Sequence, residues 1–217
     1  MFNAVFFDMD GVTIDSEPQW HDSERELMAE FGYAWQEEDQ VACLGGPLSR
    51  VGLYMAAKVH SSHDGAWFTQ ALIEKQMEKM SSGADVLPGV FELITEIRAA
   101  QLPVALVSAS PRNIMNAVLK GLPEGLFDFS ISSDDVKNTK PDPDPYLLAA
   151  QKAGVDISHS LVIEDSLTGI HSAKSAGSWV LAVPHFIKVK QEERLRTVPS
   201  LAGLTFSRIQ ELFQSQI

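Results

Sequence analysis

The sequence of 217 residues holds a single cysteine, Cys43, which excludes an intrachain disulfide and any multi-cysteine metal site. Cys43 itself, within "QVACLGG", reads as a small buried apolar residue. Long uncharged apolar runs are also lacking. The opening "MFNAVFFDMDG" is interrupted by Asp8, is too short to span a membrane and has no basic flank of the kind a secretory leader carries. A cytoplasmic protein without a membrane partner is the expectation. Positive charge is scarce: 17 Lys and Arg stand against 29 Asp and Glu, a formal net charge of −12. That balance argues against nucleic acid, whose partners gather Lys and Arg into a patch. It also means that an anionic substrate needs a locally positive site to overcome an unfavourable global field. Low-complexity segments and internal repeats are absent too, so organisation must be read from hydrophobic periodicity.

What is present suits an ordinary globular protein, 45% apolar and 21% charged, long enough for one core domain plus an insertion. Apolar runs that read as buried strands fall at 4–8, 102–110, 127–135, 161–166 and 179–184. The later ones alternate with helical patterns such as "GVFELITEIRAAQ", "RNIMNAVLKGL" and "LTGIHSAKSAG". Strands alternating with helices imply parallel βαβ units, hence an α/β fold with a Rossmann-like sheet. Residues 15–84 break the rhythm with helical patterns and no good strand. They read as a helical cap inserted into a core of residues 1–14 and 85–217. In such a sheet, ligands bind beyond the carboxyl ends of the strands.

The chemistry-bearing residues fall at those ends. The first run closes on Asp8 and Asp10, the second on "ALVSAS" with Ser108 and Ser110, and the fourth on Glu164 and Asp165; Lys140 stands in "NTKPDPDPYL". Asp-x-Asp-Gly alone also suits a strand-end turn, and either serine could simply end its strand. Together, however, the acids form an oxygen-rich cluster of the kind that holds Mg²⁺, while the ammonium and a hydroxyl suit phosphate oxygens. Two neighbouring aspartates repel each other unless a cation or a proton lies between them.

The stretches "FFDMDGVTIDSEP", "LPGV", "ALVSAS", "TKPDPDPYLLAAQKAGV" and "VIEDSLTGIHSAKSAG", in that order, resemble the haloacid dehalogenase superfamily, specifically its small capped branch of sugar-phosphate phosphatases and β-phosphoglucomutase. The resemblance spans nearly all of the chain except the cap and the last thirty or so residues. It implies that Asp8 is the nucleophile and passes through an aspartyl phosphate, and that Asp10 is the general acid and base. It further implies that Ser108, Ala109 and Lys140 bind the phosphoryl group, with Lys140 also orienting Asp8. Mg²⁺ would be held by Asp8, Asp165 and the backbone carbonyl of Asp10, with Glu164 binding directly or through water. The implied enzyme is a Mg²⁺-dependent phosphatase of a small phosphorylated metabolite, a sugar phosphate above all, acting as a monomer.

Within the cap, Arg50 follows the turn "LGGPLS", where related enzymes carry a substrate-recognition loop, and His21 lies in the first cap helix. Both are candidate substrate contacts; a solvated arginine is the alternative for Arg50. Trp20, Trp35 and Trp67 read as cap core rather than sugar platforms, and His60 and His63 as solvated positions. A phosphosugar mutase would share the same core residues. A receiver-type signalling module is the alternative from another class, but it places its phosphoaccepting aspartate at the end of the third strand.

Overall fold

The computed structural model of the chain describes residues 2–43, 47–81, 83, 85–184 and 187–214. In chain order the elements are β1 (Ala4–Phe7), β2 (Ile14–Asp15), α1 (Glu17–Ala29), α2 (Glu37–Cys43), α3 (Leu48–Lys58), α4 (Gly65–Ser81), β3 (Asp85–Val86) and α5 (Val90–Ala99). Beyond these come β4 (Val104–Val107), α6 (Arg112–Gly121), β5 (Phe129–Ile131), α7 (Asp144–Ala153), β6 (Ser160–Glu164), α8 (Leu167–Ala176), β7 (Trp179–Ala182), β8 (Leu195–Thr197) and α9 (Phe206–Gln214).

Six strands form one sheet in the order β5-β4-β1-β6-β7-β8, every neighbouring pair parallel. The continuous apolar runs are explained by burial on both faces. One face, with Phe6, Ala105, Val107, Val162 and Val180, packs on Tyr146 and Ala149 of α7 and on Ile170 and Ala173 of α8. The opposite residues Val5, Phe7, Leu106, Leu161, Ile163 and Leu181 are fully buried as well. On that side Trp179 meets Phe213 of α9 edge-on, with ring centroids 5.4 Å apart. β1 lies between β4 and β6, with Phe7 level with Leu106 and Ile163. The turns leaving β1, β4 and β6 therefore emerge along one edge, at the point where the strand order reverses, which is where open α/β sheets bind ligands.

The strands are shorter than the apolar runs, because the runs include the loops that leave the sheet. β8 and α9 were not expected: three residues in β8 are too few to show a period. β2 and β3 form a two-stranded antiparallel ribbon, Ile14 opposite Val86 and Asp15 opposite Asp85. It closes the insertion at the positions where the sequence pattern changes.

The chain forms two compact units, Met1–Asp15 with Asp85–Arg112 and Leu122–Ile217, and Ser16–Ala84 with Asn113–Gly121. Residues 113–121, most of α6, thus group with the inserted helices, whereas the sequence pattern assigns them to the sheet. Periodicity says which face of a helix is buried, not against what. The helical unit has its own core of Leu27, Met28, Trp35, Cys43, Val51, Met55, Phe68 and Leu72. Asp39 ties it together, accepting from Tyr33 Oη at 3.0 Å, Tyr54 Oη at 2.8 Å and Gln36 N at 3.0 Å and pairing with Lys58 at 2.7 Å. Burial works against that charge, but Lys58 and the three donors hold the carboxyl well below its ordinary value. Glu24, also buried, accepts from Trp35 Nε1 at 3.1 Å. Burial pushes it up to about 7, with Glu17 adding to the effect.

Candidate active site

β1 ends at Phe7, and the turn beyond it is fixed by its own backbone and by Thr13. Thr13 Oγ1 donates to the Asp8 carbonyl at 2.6 Å, and the N–H groups of Thr13 and Ile14 both donate to the Met9 carbonyl, at 2.9 and 3.0 Å. Gly11 has φ +76°, and a Cβ there would stand 2.3 Å from Asp165 Oδ2. Only glycine fits, for two independent reasons. The Asp-Met-Asp-Gly turn is thereby packed directly on the turn after β6.

Lys140 is the hub. Its Nζ donates to Asp8 Oδ1 at 2.6 Å, to Glu164 Oε1 at 2.7 Å and to the Val107 carbonyl at 2.9 Å, and it is almost fully buried. An ammonium has three donors, and all three are engaged. The sequence reading put Lys140 on the phosphoryl group and on Asp8; here it is the nucleophile candidate that it grips. Glu164 ends β6 with no exposed surface. Its Oε1 also accepts from Tyr146 Oη at 2.7 Å, while Oε2 accepts from Asp165 N at 3.1 Å, Ser166 N at 3.4 Å and Ser166 Oγ at 3.2 Å. Ser166 in turn caps α8, accepting from Gly169 N at 3.0 Å.

On the other side of the turn, Ser110 Oγ donates to Asp10 Oδ2 at 3.1 Å, Ser108 Oγ stands 3.5 Å from the same oxygen, and Ser110 N donates to Ser108 Oγ at 2.9 Å. Both serines are buried, and Ala109 between them is exposed. The two hydroxyls that the sequence left as alternatives are therefore joined on one acid. His21 and Arg50 belong to the helical unit. His21 is half-buried on α1. Arg50, in the first turn of α3, donates from Nη1 to the Ala42 carbonyl at 2.6 Å and from Nη2 to the Cys43 carbonyl at 3.3 Å, closing the end of α2. Leu44–Gly46 of the turn before it lie outside the described residues. Cys43 is buried, its thiol pushed up to about 12 by burial and by Glu24. Trp35 is core, and Trp67 stacks on His63 with centroids 3.8 Å apart.

Sequence reasoning missed Tyr146. It is fully buried, its hydroxyl is on Glu164, and its ring centroid lies 4.9 Å from Lys140 Nζ. The available signal was a tyrosine, rather than a phenylalanine, at a core position, since a buried phenol needs a partner. Burial and the charges of Glu164 and Asp8 hold that phenol well above its ordinary value.

The electrostatics show what the site lacks. Asp8, Glu164 and Asp165 each offer an oxygen within 4.8 Å of the others, the one such cluster among the described residues. Burial and the Glu164 charge push Asp8 up to about 8, although Lys140 pulls the other way. Asp165 is raised well above the ordinary range by burial and then by Asp8 and Glu164. For Lys140, the two carboxylates outweigh burial and hold the ammonium charged. Three carboxylates around one ammonium leave a demand for further positive charge. A hard divalent cation fits this oxygen donor set.

An open parallel sheet with an aspartate at the end of its first strand, and with a lysine and further acids converging on it, is the framework of a Rossmann-like enzyme. The chain belongs to the haloacid dehalogenase-like hydrolases, whose family profile matches residues 5–183. A phosphorylated carbohydrates phosphatase of Thermotoga maritima is 32% identical over 176 residues, 80% of this chain and 81% of that protein. Hexitol phosphatase B of Escherichia coli strain K12 is 31% identical over 184 residues, 83% of each. The crystal structure of a β-phosphoglucomutase from Clostridium difficile, 24% identical, has a TM-score of 0.82 and covers 99% of this chain and 98% of its own. At that identity the likeness concerns the fold alone. Among the described residues, no helix is long and apolar enough to cross a membrane.

Proposed function

We propose that this hydrolase is a Mg²⁺-dependent phosphatase of sugar phosphates that works through a phosphoryl group carried on Asp8. The observation that carries the reading is the grip of Lys140 on Asp8 Oδ1, with Asp165 beside it and Asp10 held against Ser108 and Ser110. Asp8, Asp165 and the Asp10 carbonyl would hold the cation. When bound, it lets an anionic carboxylate approach an anionic phosphoryl group. Asp8 attacks phosphorus while Asp10 gives a proton to the leaving sugar oxygen. Asp10 then takes a proton from the water that hydrolyses the aspartyl phosphate. Ser108 and the Ala109 N–H serve the phosphoryl oxygens, and Lys140 keeps Asp8 oriented. Selection among sugars is assigned to residues 15–84, with His21 as the candidate; Arg50 is engaged with the end of α2.

A mutase must hold a second phosphate, which calls for uncommitted cations on the cap. The basic residues of 15–84 are Arg25, Arg50, Lys58, Lys75 and Lys79. Each is engaged within the helical unit: Arg25 with Asp22, Lys58 with Asp39, Lys75 with Glu30, Lys79 with Glu26, and Arg50 with the end of α2. This supports water as the acceptor. The test is a screen of phosphorylated metabolites for phosphate release with Mg²⁺, alongside β-glucose 1-phosphate with and without a trace of glucose 1,6-bisphosphate. Phosphate release from a sugar phosphate is expected. Bisphosphate-dependent formation of glucose 6-phosphate, faster than any phosphate release, overturns the reading in favour of a mutase.

A further inference from the structure

Glu164 is held in a slot. Lys140 and Tyr146 both donate to Oε1 at 2.7 Å, three donors from Asp165 and Ser166 converge on Oε2, and a Cβ at Gly169 would come within 1.7 Å of Oε1. Each carboxylate oxygen accepts at about two lone-pair positions, so Lys140 and Tyr146 together leave none on Oε1 for a cation. Of the five donors to Glu164, four come from groups that the site has anyway: Lys140 and the turn that starts α8. The fifth, the Tyr146 hydroxyl, comes from α7 and is directed at Glu164. A phenyl ring would fill the same core space beside Ala149 and Val162.

We propose that Tyr146 is a positioning residue that acts through Glu164, an inference that rests on the phosphatase reading. By occupying Glu164 Oε1, the phenol keeps this carboxylate turned toward Lys140 and out of the coordination shell of the cation. Lys140 is thereby kept on Asp8 Oδ1, and the remaining face of Asp8 is presented to phosphorus in one orientation. Without the hydroxyl, Oε1 has an open position, and Glu164 can turn it toward Asp8 and Asp165, whose carboxylate oxygens lie within 4.8 Å. It then competes for the cation while loosening Lys140.

The experiment compares wild type, Tyr146→Phe, Glu164→Gln and the double variant, using an aryl phosphate and the best sugar phosphate from the screen. Mn²⁺ affinity is titrated separately by electron paramagnetic resonance without substrate. Tyr146→Phe is expected to lower kcat about tenfold for both substrates, the effect of a displaced catalytic group, with KM unchanged, and to tighten Mn²⁺ binding. In the Glu164→Gln background the same substitution should change kcat no further, since residues acting as a unit are not additive. An unchanged kcat and Mn²⁺ affinity in folded Tyr146→Phe, or losses that multiply in the double variant, overturn the proposal. If Tyr146→Phe does not fold, the wild-type hydroxyl proton decides: a slowly exchanging low-field resonance that shifts in Glu164→Gln is expected, and indifference to that substitution overturns the proposal. A wild-type protein that releases no phosphate from any substrate defeats the phosphatase reading instead, while the Mn²⁺ titration still reports on Tyr146.

Discussion

Lys140 brings a carboxylate from the turn after the first strand, a carboxylate from the sixth strand and a carbonyl from the fourth onto one nitrogen. Removing it leaves Asp8 and Glu164 buried without their cation. Lys140→Ala is expected to lower kcat by roughly 10² or more, by a similar factor for every substrate, and to destabilise the fold by about 3–5 kcal/mol. Steady-state assays across two unrelated substrates and a denaturant melt check both parts. Asp8→Asn should behave in the opposite way on stability. Because Asp8 is raised to about 8 by burial and Glu164, its charge disfavours the metal-free fold as pH rises past the ordinary carboxylate range. The variant is expected to lose turnover yet melt no lower than wild type at pH 8 in a chelator. A folded, active Asp8→Asn would remove it from the nucleophile's role. That Asp8, Asp10, Glu164 and Asp165 fall along one sheet edge was legible in the sequence, because they stand at or just past the ends of apolar runs, and a strand end is a place periodicity can find. Tyr146 was not, because a buried aromatic at helical spacing looks like any other core residue. The part played by Gly11 was visible only once Asp165 lay against it.

At the scale of elements, α8 shows how a helix start serves chemistry. Ser166 caps it, and Gly169 in its first turn leaves room for Glu164. In an ordinary helix, Gly→Ala stabilises by about 1 kcal/mol. Here the sign should invert: Gly169→Ala is expected to lower both Tm and kcat, because its Cβ would overlap Glu164. A variant that melted higher with full activity would show that the slot has slack. Arg50 acts on an element too, through the carbonyls that end α2. Arg50→Ala is expected to cost about 0.3–1 kcal/mol of stability and to lower kcat/KM equally for a sugar phosphate and an aryl phosphate. A loss confined to the sugar phosphate would instead make Arg50 a contact of the substrate. The strands β1, β4, β5, β6 and β7 could be read from their apolar runs. β8 could not, nor could the grouping of α6 with the inserted helices, because partners of amphipathic faces are chosen by the folded chain.

For the whole molecule, pH acts on the helical unit through Glu24, in the same direction as Asp8 acts on the metal-free core. Glu24 binds its proton more tightly when folded, about 7 against 4.5, so the folded state holds the extra proton between these values and stability falls as pH rises through them. Glu24→Gln, which still accepts from Trp35, is expected to remove that slope and to stabilise the protein at pH 8 by up to about 3 kcal/mol, with little change at pH 4. Parallel melting curves over that range check it, and an unaltered slope would rule Glu24 out as its source. The three carboxylates around Lys140 have a further consequence. A fold that cannot neutralise its own interior is a thermodynamic gauge of the ions around it. Each tenfold rise in a fitting divalent cation above its dissociation constant should add about 1.4 kcal/mol to the unfolding free energy. Each such ion should also displace a proton near neutral pH. The melting temperature of this chain would then report Mg²⁺ activity in a sample containing no substrate at all.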